Sequence, residues 1–222
     1  TTADAERAAY LAKADLVTGA VVEFTSVQGI MGSYYAKASG ETDAVARAIA
    51  DHYRPRFSGD DVPAERVGCI VAIADKLDTI CGLFAIGQGP TGSSDPFALR
   101  RSALGIVTML LSDKGLDISL GAAIDVALAS YADQGIEFDA AAVRADVVDF
   151  FITRTKVMAK DEGASPDAIE AVLAVSVEEP VVFMQRVRAL VAAREQQAET
   201  FDDLATAYAR ANNLRDEKLG TN

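Results

Sequence analysis

The sequence predicts an all-α fold, and three observations carry that prediction. Apolar residues recur at spacings of three and four along nearly the whole 222-residue chain, the pattern of one helix face. Long runs of alternating apolar and polar residues, which a half-buried strand needs, are missing. Breaks in the helical pattern fall on Gly, Pro, Asp and Ser, the residues that stop and start helices.

Residues 4–23 set Ala5, Ala8, Ala9, Leu11, Ala12, Leu16 and Val17 at helical spacing and predict a first helix. Lys13 and Asp15 are read there as a solvated face. Gln28-Gly29-Ile30-Met31-Gly32 follows, with two glycines suited to close packing or a kink. Residues 43–53 predict a helix capped by Asp43 and ended by Pro55, which cannot donate and restricts its predecessor. Residues 64–86 predict the most apolar helix. Val67, Ile70, Val71, Ala74, Leu77, Cys81 and Phe84 share one broad face that Ile73 and Ile80 widen, as expected of a core helix. Gly87 to Ser94 make a loop, and Asp95-Pro96 supplies a cap acceptor and a first-turn proline for the next helix. The stripe of that helix is Leu99, Ala103, Ile106, Val107, Leu110 and Leu111. Further helices are predicted over 119–132, 139–160, 166–175, 180–198 and 200–218, with Gly135 and Gly163 as stops and Ser165-Pro166 as a start. The alanine richness is helix propensity. A soft boundary at 113–118 contains the turn Asp113-Lys114-Gly115 and divides the chain into 1–112 and 113–222.

Composition narrows the function. Half the residues are apolar, 24% are charged and the net charge is −12, which is globular composition and excludes wholesale disorder. The apolar stretches are too short to span a membrane. Thr1 to Arg7 carry no apolar signal core. The absence of an initiating Met predicts a processed or excised piece of a longer chain. Cys69 and Cys81 read as reduced core residues of a cytoplasmic protein. A single histidine, His52, excludes a two-histidine metal site and requires any Ser-His or Cys-His pair to use it. The acidic total argues against a general polyanion binder. The charge is uneven, however: residues 44–112 hold seven basic and seven acidic side chains, whereas 113–222 hold eleven and twenty.

Chemistry is predicted at three places. Asp75 and Asp78 lie on the core helix, and helical geometry sets Asp78 between Val67 and Val71 on the apolar face. A carboxylate there needs a partner. It is either a metal ligand or general base, or a structural carboxylate held by Lys, Arg or a helix N-terminus. Two basic-aromatic clusters, His52-Tyr53-Arg54-Pro55-Arg56-Phe57 and Phe97 with Arg100 and Arg101, suit phosphate contact and base stacking. The plainer reading makes Phe57 and Phe97 core anchors and pairs the arginines with Asp51, Asp60, Asp61 or Asp95. The Gly87–Gly92 loop lacks a preceding strand and a Gly-Lys-Ser/Thr, so it reads as a connector and not a phosphate cradle.

Several blocks in order then resemble one family. Leu16-Val17-Thr18, Glu23-Phe24, Gln28-Gly29-Ile30-Met31-Gly32 and Tyr35-Ala36 are similar to a stretch of the bacterial glycyl-tRNA synthetase beta subunit. The resemblance continues through Tyr53 to Asp60, Ile73-Ala74-Asp75-Lys76-Leu77-Asp78-Thr79 and Gly87 to Ser93, and is densest from Asp95 to Gly105. It thins after Val147, yet Asp161-Glu162-Gly163 and Asp167 to Leu173 still fit.

The resemblance implies a segment of that subunit, with an HD-like helical bundle at 1–112. A helical linker region at 113–222 then leads to an anticodon-binding domain that 200–218 begins. It implies a part of a class II glycine-tRNA ligase, a cytoplasmic heterotetramer, in which this segment supplies tRNA binding and no catalytic residue. The expected partners are the alpha subunit and glycine tRNA, with no DNA and no membrane. No cofactor is expected in the segment; ATP and Mg are used in the alpha subunit. Candidate tRNA contacts are Arg54, Arg56, Arg100 and Arg101, with Lys76 a weaker one. Active HD proteins hold a metal with a His, a later His-Asp pair and a final Asp. Ala74-Asp75-Lys76-Leu77 is similar to the context of that final Asp, but His52 is followed by Tyr53 and Gln28-Gly29 stands where a His-Asp pair would be expected. The HD fold therefore reads as degenerate, with no metal, and Asp75 is expected to cap or pair within the core. The alternatives are a metal-dependent HD phosphohydrolase using Asp75 and Asp78, or a purely structural inter-domain spacer.

Overall fold

A computed structural model describes residues 2–114, 116–175 and 178–213. Among these, eleven α-helices carry the fold, with no strand beyond one bridge between Thr91 and Ser94. The chain forms two compact units. One comprises 1–157 with 178–181, and the other 158–177 with 182–222. The predicted turn at 113–118 lies inside the first, with Gly115 outside the described residues.

The first unit is built around α5 (Arg66–Ala85), which packs against α1 (Thr2–Leu11), α4 (Asp43–Asp51), α6 (Leu99–Leu111) and α7 (Leu120–Asp133). Packed on four sides, α5 buries Val67, Val71, Ile73, Leu77, Ile80 and Cys81. A small-residue core joins α1, α4 and α5 to α3 (Ile30–Ala38), using Ala8, Ala12, Ala36, Val45, Ala46, Ala48 and Ile49. Alanines at the contact let helix axes approach closely, while Ile49 supplies bulk worth about 1.5–3 kcal/mol of burial. Both cysteines are buried free thiols, and burial pushes Cys81 up to about 12.

The predicted first helix is interrupted. It ends at Leu11 and is followed by a 3-10 turn, Ala14–Val17, and the short α2 (Gly19–Glu23). Thr18 closes that turn through its N–H and hydroxyl, both donating to the Asp15 carbonyl at 3.0 and 2.7 Å. The break turns Asp15 inward to 2% exposure, which corrects its assignment to a solvated face. Thr42, not Asp43, caps α4, accepting the Val45 N–H at 3.2 Å. Asp43 instead sits in the first turn, where the helix dipole favours it. α6 starts at Leu99, later than Asp95-Pro96 predicts. Asp95 still caps it, accepting the N–H groups of Leu99 at 2.8 Å and Arg100 at 3.0 Å, with Ala98 left-handed at φ 55°.

A second correction concerns α5. Asp78 is exposed beside Ala74, and Lys76 is buried in its place. A helix apolar nearly all round has no single face that periodicity can fix; its packing partners choose which strip meets water.

α8 (Ala140–Asp161) starts in the first unit and ends in the second. The second unit otherwise contains α9 (Pro166–Leu173), most of α10 (Pro180–Gln196) and α11 (Ala198–Asn213). It buries Ala168, Ile169, Val172, Phe183, Met184 and Val187. Arg188 binds the Glu162 carboxylate with two nitrogens, at 2.8 and 2.7 Å. Leu204 and Tyr208 of α11, in the stretch expected to begin a further domain, are 68% and 71% exposed; residues 214–218 lie outside the described residues.

Candidate nucleic-acid interface

Three segments of the first unit converge on a cleft of about 480 Å³. The loop after α4 brings Tyr53 and Arg56, α5 brings Asp75 and Lys76, and the first turn of α6 brings Arg101, with Gln28 on a further edge. Gly105 allows this assembly. A Cβ there would lie 3.0 Å from Pro55 Cγ, so only glycine lets α6 settle against the loop unshifted.

Lys76 is the clamp of that loop. Its Nζ donates to the carbonyls of His52 and Arg54, both at 2.9 Å, and it is 7% exposed. Burial lowers its pKa to about 8. Arg101 donates to the Arg56 carbonyl at 3.2 Å, and Asp60 accepts the Arg56 N–H at 2.7 Å. Those bonds fix the backbone under Arg56. Neither Arg56 nor Arg101 pairs with a carboxylate among the described residues. Two guanidiniums beside one cleft, without partner anions, make a place for phosphate.

The five candidate tRNA contacts are thus divided. Arg56, Arg101 and Lys76 share the cleft. Arg54 is turned to Asp51 at 3.4 Å and Asp61 at 3.9 Å. Arg100 donates to the Gly92 carbonyl at 2.6 Å, toward the glycine loop. Phe57 and Phe97 are exposed, which corrects their reading as core anchors.

Next to the cleft sits a cluster that sequence reasoning missed. Lys13 Nζ lies 2.9 Å from His52 Nε2, 3.1 and 3.2 Å from the two Asp75 carboxylate oxygens, and 4.1 Å from the centre of the Tyr53 ring. His52 is fully buried, and its Nδ1 is 2.7 Å from the Ile49 carbonyl. A carbonyl only accepts, so Nδ1 carries the proton and the Nε2 lone pair accepts from Lys13. Burial first, then the Lys13 charge, lowers the His52 pKa to about 4. Asp75 therefore pairs with Lys13. Asp78, on the exposed side of α5, offers its carbonyl to the Tyr131 hydroxyl at 3.0 Å. Nothing local signals the Lys13 cluster, because its partners lie 39 and 62 residues away.

The paired glycines explain themselves here. Asp15 accepts the N–H groups of Gly29 and Gly32 at the start of α3, at 2.6 and 2.9 Å. Gly29 has φ +76°, and a Cβ on it would meet the Tyr53 ring at 2.8 Å. Among the described residues no three His, Cys, Asp or Glu side chains gather in a way that would hold a metal ion.

Comparisons with known proteins agree on one family. The model of the family described as "Glycyl-tRNA synthetase beta subunit" matches residues 1–174. The chain is 46% identical over 209 residues to the "Glycine--tRNA ligase beta subunit" of Syntrophotalea carbinolica, covering 94% of this chain and 30% of that protein. The protein of the same name from Acidithiobacillus ferrooxidans is 45% identical over 211 residues, covering 95% and 30%. That from Salmonella typhi is 43% identical over 210 residues, again covering 95% and 30%. The chain therefore spans 30% of the length of these relatives.

Proposed function

We propose, for a chain that belongs to the glycyl-tRNA synthetase beta-subunit family, that it is the part of that subunit which binds and positions glycine tRNA. In this reading the complete enzyme, with its alpha subunit, joins glycine to tRNA in the cytoplasm. ATP and Mg are used on the alpha subunit, and this segment carries no catalytic residue.

One observation supports the tRNA contact above the rest: Arg56 and Arg101 flank a single cleft without carboxylate partners among the described residues. Lys76 holds the loop that presents Arg56, and Arg54 and Arg100 serve as outer contacts. A local positive edge attracts phosphate although the whole chain carries −12. Residues 113–222, with twenty acidic side chains, are kept clear of phosphate and act as a helical spacer toward an anticodon-binding domain.

The test uses the assembled enzyme. Arg56→Ala combined with Arg101→Ala weakens tRNA binding by about tenfold or more, as loss of two charge-assisted contacts implies. The slope of log affinity against log salt falls by about 1.5. Arg54→Ala and Arg100→Ala, made singly, weaken binding less. Unchanged affinity in the double variant rejects the cleft as a tRNA contact.

A further inference from the structure

The Lys13 cluster has the make-up of a cation site. An imidazole lone pair and a carboxylate face one point, and the far ring nitrogen of the imidazole is anchored to a backbone carbonyl. That anchoring is how proteins orient a histidine that ligates a divalent transition ion. The point in question is filled by the chain's own charge. Lys13 Nζ is within 3.2 Å of His52 Nε2 and of both Asp75 oxygens, with the Tyr53 ring closing another side. A divalent ion would sit about 2.0–2.2 Å from the same nitrogen and oxygens. Ion and ammonium compete for one space and repel each other, so the site as built does not fit a metal.

We infer that the Lys13 ammonium is the resident cation of this site: it neutralises Asp75 and holds His52, and it shuts out divalent ions that the two donors would otherwise bind. Three of its properties fit that role. The ammonium offers three N–H groups to three acceptor atoms. Its distances to the carboxylate oxygens differ by only 0.1 Å, 3.1 against 3.2 Å, so it bridges both. The aromatic face adds cation–π attraction without adding a donor atom. The inference is independent of the tRNA reading, since it concerns what occupies the site and not what the neighbouring cleft contacts.

Removing the amine opens the site. The probe is Co2+, a borderline ion suited to imidazole and carboxylate and visible by its absorption. Metal content and Co2+ absorption are measured on the full-length protein, for wild type, His52→Gln, Lys13→Met, Lys13→Gln and each Lys13 variant combined with His52→Gln. Methionine keeps the alkyl stem over Tyr53; glutamine keeps a polar end. The expected result is one equivalent of Co2+ beyond wild type in a Lys13 variant, bound at least about tenfold tighter than by wild type. That equivalent is lost when His52→Gln is added. A variant that unfolds and regains its circular dichroism with Co2+ but not with K+ supports the inference equally. Three results overturn it: wild type holding an ion that His52→Gln removes, both folded variants taking up no more Co2+ than wild type, or both variants unfolding without recovery in Co2+.

Discussion

The Asp15 carboxylate accepts the backbone N–H of Gly29 at 2.6 Å, joining a 3-10 turn to the start of the helix fifteen residues on. The same oxygen accepts from Gly32, so one buried anion satisfies two free N–H groups at a helix N-terminus. Asp15→Ala removes that shared acceptor and leaves both donors buried. The expected loss is about 2 kcal/mol, as for hydrogen bonds to a charged group. Urea unfolding of the variant measures it; a midpoint equal to wild type contradicts the account.

Gly29 and Gly32 should resist substitution for different reasons. Gly29→Ala forces a left-handed alanine, costing about 1–2 kcal/mol before its clash with Tyr53. Gly32→Ala places a methyl 2.8 Å from the Ile49 side chain and 3.1 Å from Asp15, which overpacks the core by about 1–3 kcal/mol. Gly40→Ala, also at positive φ but with open space around it, isolates the backbone cost alone. Thermal unfolding of the three variants should rank Gly40→Ala as the mildest.

His52 gives a pH dependence with a definite sign. Its folded pKa of about 4 lies below the ordinary value of 6.5. Between those values the unfolded chain binds the proton and the folded chain does not. The stability carried by neutral His52 is therefore complete above pH 6.5 and is lost as pH falls toward 4. The slope from this group approaches about 1.4 kcal/mol per pH unit in that window. Because His52 is the only histidine, its ring Hε1 is a single NMR signal whose titration reads the value directly. A midpoint near 6.5 would show that the ring is not held as described.

Glu179 latches the segment before α10 to α7. Its carboxylate accepts from the Ser119 hydroxyl at 2.7 Å and from the N–H groups of Leu120 and Gly121 at 2.8 and 3.2 Å. Glu179→Ala should cost about 1–2 kcal/mol. Amide exchange at Leu120 and Gly121 should speed up, with little change at Val71 in α5. Equal protection in variant and wild type would remove the latch.

Much of the fold is legible in particular residues. Pro55, Gly135 and Pro166 punctuate helices where simple rules put boundaries, and the stripe from Leu99 to Leu111 is buried as its spacing predicts, save for a half-buried Leu111. The errors fall on charged residues inside apolar stretches. Asp15 read as solvent-facing and Asp78 as buried, and the structure reverses both; Lys13 stays exposed, as read, yet reaches partners that no spacing announced. Arg54, Arg56, Arg100 and Arg101 look alike in sequence; only the neighbours of each show that Arg56 and Arg101 reach one cleft.

By itself the sequence determined where most helices run and stop, the break after Leu11 apart, because propensity, capping and chain-breaking act over a few residues. It also carried the resemblance that the family comparisons bear out. Tertiary structure alone decided which charges are buried and with whom. A buried lysine or carboxylate is stable only beside groups that hydrogen-bond it, and those of Lys76 and Asp15 come from 14 to 24 residues away. No local pattern encodes such a meeting; it exists only once the helices have packed.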